Sequence, residues 1–524
     1  LYQLAEKRLS QLINSNQQKL LKGGLIGLEK EALRVGADGS IAQTPHPATL
    51  GSALTHPWIT TDFSEALIEL ITPPSATLHE PLRFLCHVHA YVYNHLGEEL
   101  LWGASMPCIV SAEKGIPIAQ YGSSNAGFMK HVYRRGLAYR YGRVMQVIAG
   151  VHFNYSVNEA LWPVLQAIEA NTWSHQEFVS AGYFSMIRNL QRFGWLIPYL
   201  FGASPAVCMS YLGGKPTDME AFDDSTYFYP YATSLRMGDI GYQNKKGIEA
   251  GFKACYHDLK SYIVSLTHAI ETPCPKYQAI GVVVDGEYRQ LNANILQIEN
   301  EYYTTVRPKQ VPINNEKPTL ALRHRGVQYV ELRSLDVNAY DPLGINEQQL
   351  RFLEAFMLFS LFQNSPSISS YESWEIDRNL SVTARKGRDP SLTLQRQGRG
   401  IPLKVWAAEL CDAMQGFCES LDTDEIGSPY GDALQRQRKS IADAECTPSS
   451  RMLAEMRKTK ESFHDFAKRL SIKHSRYFKQ IELPEDETRF FAETARRSTA
   501  KQRAMELADT ISFEQYLANY FAQS

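Results

Sequence analysis

The stretch AIGVVVDGEYRQL, residues 279–291, sets Asp285 and Gly286 between two runs rich in β-branched and aromatic residues. An Asp-Gly pair in that setting supplies the two-residue turn of a hairpin, because both residues tolerate the positive φ that the turn demands. A hairpin pairs its strands antiparallel. Four other strand-like runs accompany it: LIGLEKEALRV (25–35), ALIELIT (66–72), MQVIAGVHFNYSV (145–157) and GVQYVELRSLDV (326–337). They are mixed irregularly with helix-like segments, without the steady βαβ alternation of a doubly wound parallel sheet. The expected fold class is α+β.

Helical periodicity is clearest over 78–100, 126–142, 177–197 and 345–362. After the polar stretch TARKGRDPSLTLQRQGRG (383–400) the chain reads as mostly helical to its end. We therefore expect a catalytic α+β region over 1–384 and a mainly helical region over 385–524 packed on it. No internal repeat is present, which removes solenoids and propellers.

The 524 residues are 44% hydrophobic and 21% charged, the balance of an ordinary globular chain. A net charge of -2 and a pI near 6.8 create no general field for nucleic acid or an anionic membrane, so neither is an expected partner. Any anionic ligand must be met by a local basic site. The longest apolar runs, FMLFSLF (356–362) and WLIPYLFG (195–202), fall short of the roughly 20 residues that span a bilayer. The opening LYQLAEKRLSQLI reads as an amphipathic helix rather than a secretory signal, and the lack of an initiator methionine points to a trimmed start. Eight cysteines without a C-x-x-C pair read as reduced thiols, which places the protein in the cytoplasm.

Glu29 and Glu31 stand two apart in GLEKEALRV, so a strand projects both carboxylates from one face. On this pair alone a solvated acidic face is the commoner explanation. Other strands supply company. Asp62 precedes ALIELIT, and Glu69 lies inside that apolar run, where an unpaired charge is costly. His152 and Asn154 share a strand face, as do Glu331 and Arg333. Carboxylates with a single imidazole suit magnesium or manganese better than zinc. Magnesium keeps coordination positions for water and substrate phosphate, so the implied ligand is a nucleotide. Neither a G-x-x-x-x-G-K-[ST] loop nor a G-x-G-x-x-G fingerprint is present, so metals and arginines must hold the phosphates; Arg134, Arg236, Arg307 and Arg333 are the candidates by context. YGSSNAG (121–127) does not match the G-x-S-x-G elbow, which sets serine hydrolases aside.

At this point the chain resembles the proteobacterial glutamate-cysteine ligases, or γ-glutamylcysteine synthetases. The resemblance is carried by GLEKEALRV, GSALTHPWITTDFSEALIELITP, AQYGSSNAG, VYRRGLAYRYG, RFGWLIPYLFGASPA, PYATSLRMGDIGY, LQIENEYY and YVELRSLDVN, in consistent order between residues 25 and 351. It thins in the C-terminal helical part and departs from the family downstream of Cys108, where no disulfide is carried over. It implies a curved antiparallel sheet similar to the catalytic domain of glutamine synthetase, flanked by helices. The metal ligands it implies are Glu29, Glu31, Asp62, Glu69, His152 and Glu331. It further implies that Arg333 contacts the transferred phosphoryl group, that Arg134 lies near the nucleotide phosphates, and that Phe63, Tyr133, Gln146, Arg236, Tyr242 and Tyr303 bind cysteine. The implied substrates are ATP, L-glutamate and L-cysteine, with Mg2+ or Mn2+ as cofactor and glutathione as a feedback inhibitor. The rivals are a ligase of the same fold using another amine, and a non-catalytic regulator, which should have lost one or more of the six metal positions.

Overall fold

The computed structural model describes residues 2–107, 109–110, 113–241, 252–313 and 315–523. Seven strands form one antiparallel sheet: β1 (Leu25–Val35), β2 (Ile59–Thr61), β3 (Leu67–Ile71), β4 (Leu100–Leu101), β5 (Gly150–Ser156), β6 (Val306–Lys309) and β7 (Tyr329–Asp336). Their order is β6-β7-β5-β1-β3-β2, with β4 paired to the end of β1. The α+β architecture with an antiparallel sheet is as expected.

The period of two along β1 gives the sheet unlike faces. Leu28 and Ala32 join Ile68 and Leu70 of β3, Val151 and Phe153 of β5, and Val330 and Leu332 of β7 on the apolar face, all buried. The helices His79–Tyr93 and His175–Phe193 pack against these strands. Ser174 and Glu177 start the second of them with a reciprocal capping box. Lys30 also projects to the apolar side, where its ammonium donates to Pro342 O at 3.0 Å and meets His89 Nε2 at 2.9 Å. Since His89 Nδ1 lies 2.6 Å from Leu85 O, a pure acceptor, the proton sits on Nδ1 and Nε2 receives the lysine hydrogen. Burial holds the Lys30 ammonium down to about 7 and keeps His89 neutral.

Several boundaries differ from the sequence reading. The helix expected over 78–100 ends at Tyr93, and Leu100–Leu101 is strand instead. Within 145–157, Met145–Val147 is a 3-10 turn, and the strand begins at Gly150. The 279–291 run does form a hairpin around Asp285 (φ 53) and Gly286 (φ 81), but its strands, Val283–Val284 and Glu287–Tyr288, are two residues long and stand apart from the main sheet.

Past Lys386 a short hairpin, Thr393–Arg396 with Arg399–Pro402, leads into the helices that run to the C-terminus. They pack back on the earlier part. Phe417 meets Phe359 and Phe362, Phe478 stacks on His89 at 4.8 Å, and Phe513 meets Phe128. Among the described residues no helix is long and apolar enough to cross a membrane, and no cysteine forms a disulfide.

One packing contact sets a pH dependence of stability. Glu354, buried in the helix Glu347–Phe362, accepts a hydrogen bond from the Tyr430 hydroxyl at 2.6 Å. Burial pushes its carboxyl from 4.5 up to about 7, with the Tyr430 bond opposing. The folded state therefore keeps a proton that the unfolded chain releases, so this stabilisation is complete below the unfolded pKa and is lost as pH rises through the folded one. Glu354→Gln retains an acceptor for Tyr430 and removes the loss, worth on the order of 3 kcal/mol at most. Thermal melts from about pH 5 to about pH 8 should show the variant gaining steadily on wild type. Parallel curves would contradict the assignment.

Candidate functional site

The opposite face of the sheet gathers the polar residues. Cross-strand register sets Glu29 of β1 against His152 of β5, Glu31 against Glu69 of β3, and Glu331 of β7 against Asn154. Directly opposed residues of an antiparallel pair point the same way, so all six side chains share one face. The three central ligand-type groups, Glu29, His152 and Glu331, bring donor atoms within 4.8 Å of one another. His152 Nδ1 lies 3.1 Å from Glu29 Oε2 and 3.4 Å from Glu331 Oε1, while Nε2 lies 3.7 Å from Glu31 Oε1. Asn154 donates to Glu29 at 2.9 Å, and the Gly150 N–H donates to Glu31 at 2.7 Å.

Between Leu332 and Leu335 the register of β7 slips against β5, so that Arg333 and Ser334 both stand opposite His152. A bulge of this kind re-aims a side chain. Arg333 uses it to place its guanidinium 2.7 Å from Glu331 Oε1. Lys309 of β6 approaches the other oxygen, Oε2, at 3.5 Å.

The charges are unevenly shared. Burial would raise the Glu331 carboxyl, but Arg333, Lys309 and His152 together hold it well below the usual range. Burial and Glu331 likewise oppose ionisation of Glu29, and the bond to His152 with the charge of Lys309 brings it down to about 2. Burial and Arg333 work against a charged His152, yet its carboxylate partners lift it to about 9. Glu31 and Glu69 go the other way. Burial raises both, with His152 opposing and Asp62 adding at Glu31, and with Glu29, Asp62 and Glu31 adding at Glu69, which rises furthest. Among the described residues, Glu331 Oε2, ion-paired only with Lys309, and Asn154 Oδ1 are buried without a hydrogen-bond partner. Carboxylates with one imidazole and an orphaned oxygen fit a hard divalent cation.

The model of the glutamate-cysteine ligase family matches residues 9–383. The chain belongs to the glutamate-cysteine ligase family. The glutamate-cysteine ligase of Alcanivorax borkumensis is 46% identical over 522 residues, covering 98% of this chain and 99% of that one. That of Pseudomonas aeruginosa is 47% identical over 519 residues, covering 99% and 98%. Among solved structures, the glutamate-cysteine ligase of Francisella tularensis in complex with AMP superposes with a TM-score of 0.89 at 34% identity, covering 95% of this chain and 98% of that one.

The remaining residues that the resemblance to glutamate-cysteine ligases singles out are unevenly placed. A cleft of about 600 Å³ is lined by His152, Arg236, Tyr303 and Arg333, and opens between the segments 252–257 and 367–381. Arg236 is buried and donates to the Arg333 carbonyl at 2.8 Å. Phe63, Tyr133 and Gln146 are not part of that lining; Gln146 stands behind Tyr303, accepting its hydroxyl at 2.6 Å. Among the described residues, the Gln146 Nε2 group is buried without a hydrogen-bond partner. Asp62 follows edge strand β2, and its carbonyl accepts from Arg134 Nε, whose guanidinium lies over the Tyr121 ring. Arg307 stands opposite Glu331 in register but turns back to the carbonyl of Tyr302 at 2.7 Å. Tyr242 and Cys108 lie outside the described residues.

The sequence reading notes Asn154 beside His152 without giving it a role and does not include Lys309, although both share the polar face. The signal for Lys309 is of the same kind: it follows Arg307 by two in β6.

Proposed function

We propose that the chain uses ATP to join the side-chain carboxylate of L-glutamate to the amine of L-cysteine through γ-glutamyl phosphate, the first step of glutathione biosynthesis. The observation that carries this reading is the Glu29–His152–Glu331 cluster with Arg333 bound to Glu331, of which His152 and Arg333 line the cleft. A carboxylate is a poor acyl donor, so it must gain a leaving group before an amine displaces an oxygen. Phosphorylation supplies it.

Glu29, Glu31, Asp62, Glu69, His152 and Glu331 would hold magnesium, with manganese as the alternative. When bound, the metal supplies charge neutralisation to the phosphate oxygens. Arg333 would grip the transferred phosphoryl group through its planar fork, and Arg134 would stand by the nucleotide phosphates. The AMP in the Francisella tularensis relative supports a nucleotide site here, without choosing between ADP and AMP as product. Phe63, Tyr133, Gln146, Arg236, Tyr242 and Tyr303 would form the amine pocket. Glutathione carries the same γ-glutamylcysteinyl unit as the product, which makes it the expected feedback inhibitor. We assign the chemistry to residues 1–384, a packing role to 385–524, and the cytoplasm as location.

The test is ADP release in the presence of ATP, magnesium, glutamate and one of several amino acids. Full rate should require glutamate and cysteine together. A mainly aromatic amine pocket should also accept 2-aminobutyrate, whose ethyl group matches the thiol side chain in size. Serine should do worse, because its hydroxyl loses water without gaining a partner. The gap is about a hundredfold at most, since apolar pockets reject an added hydroxyl only modestly. Faster turnover with serine than with 2-aminobutyrate would contradict the cysteine assignment.

A further inference from the structure

Behind Tyr303 lies a buried ion pair that the proposed reaction does not use. Arg140 and Glu301 have side chains fully removed from solvent, 2.9 Å apart. The Glu301 carboxylate takes four hydrogen bonds. Oε1 accepts from Arg140 Nη1 and from the Tyr141 hydroxyl at 2.7 Å; Oε2 accepts from the Gln297 backbone N–H at 2.7 Å and its side-chain amide at 3.1 Å. Every lone-pair site of the carboxylate is filled. Arg140 is equally committed: it donates to Gln290 Oε1 at 2.9 Å and to Asn292 O at 2.8 Å, and its guanidinium lies over the Tyr277 ring.

The pair joins segments that meet at the amine pocket. Arg140 and Tyr141 end the helix Asn125–Tyr141, which carries Tyr133. Glu301 precedes Tyr303 by two residues. Gln297 bridges them, since its amide also donates to the Tyr133 carbonyl at 3.3 Å. It fits there only because residue 136 is glycine: a Cβ at that position would stand 2.1 Å from Gln297 Oε1. The Tyr141 ring meets the Tyr303 ring edge-on at 6.4 Å. A buried ion pair is weak evidence of stability, because desolvation offsets most of its attraction. Its filled valences do fix geometry.

We propose that Arg140 and Glu301 form a positioning unit that sets the spacing of Tyr133 and Tyr303 and so determines affinity for the amine substrate, without touching it. The inference rests on the amine-pocket reading above. Glu301→Gln puts an amide donor opposite donors that need an acceptor, and loosens the unit. In steady-state assays of the full chain, the KM for cysteine should rise about tenfold or more, while kcat and the KM values for ATP and glutamate move less than about threefold. Gly136→Ala, which displaces Gln297 without removing a charge, should move the same parameter in the same direction. Arg140→Gln combined with Glu301→Gln restores a neutral donor-acceptor pair, and should recover part of the cysteine affinity. An unchanged cysteine KM in a folded Glu301→Gln or Gly136→Ala protein would overturn the inference, as would a uniform loss across all three substrates. A wild-type enzyme indifferent to its amine would instead overturn the parent reading of the pocket.

Discussion

Glu331→Gln should reduce ADP release at saturating magnesium by about a thousandfold and also lower the melting temperature of the metal-free protein. Its carboxylate is the common partner of Arg333, Lys309 and His152, and their charges hold it ionised. Neutralising it takes this countercharge from Arg333 and Lys309 and leaves His152 with Glu29 and Glu31 alone. Glu69→Gln should also lose most activity, with the opposite effect on stability. Burial and the carboxylates of Glu29, Asp62 and Glu31 raise the Glu69 pKa far above the usual carboxylate value. A raised acid stabilises the fold fully only below its unfolded pKa, and that contribution falls as pH rises from there through the folded pKa. A neutral amide removes the loss, so metal-free Glu69→Gln should melt above wild type near neutral pH. Two variants that both lose activity and shift melting in the same direction would contradict this assignment of the charges.

Arg333→Lys should lower kcat by about a hundredfold or more, with a smaller effect on the KM for ATP. The substitution keeps the charge and removes the planar fork that grips two phosphoryl oxygens. The bulge sharpens the expectation, because the backbone at Arg333 and Ser334 is arranged to aim this one side chain beside Glu331. A lysine variant with near-normal kcat would show that charge alone suffices at residue 333.

The polar face of the sheet was legible because side chains alternate with a period of two. Glu29 with Glu31, His152 with Asn154, and Glu331 with Arg333 are each visible within one strand. Their meeting across strands was not legible from that period. It depends on the pairings Glu29 with His152 and Glu331 with Asn154, which are contacts between residues more than 120 positions apart. The turn at Asp285 and Gly286 was read correctly as local chemistry and as antiparallel pairing. Yet the strands it joins stay two residues long and outside the main sheet, with Val283 half exposed. Turn chemistry fixes a reversal and says nothing of whether a larger sheet will receive the strands. β6 escaped notice because it is four residues long and contains Pro308, which suits an edge position. Glu301 and Arg140 left no periodic signal at all, since their pairing joins the end of a helix to a 3-10 turn.

The most direct test of the central claim follows oxygen from glutamate. With heavy oxygen in the side-chain carboxylate, an acyl-phosphate route leaves one labelled oxygen on the phosphate, because that atom bridges carbon and phosphorus before the amine attacks. Mass spectrometry of the products should find ADP and singly labelled phosphate, formed in step with the peptide product. AMP with pyrophosphate, or unlabelled phosphate at normal turnover, would contradict the account.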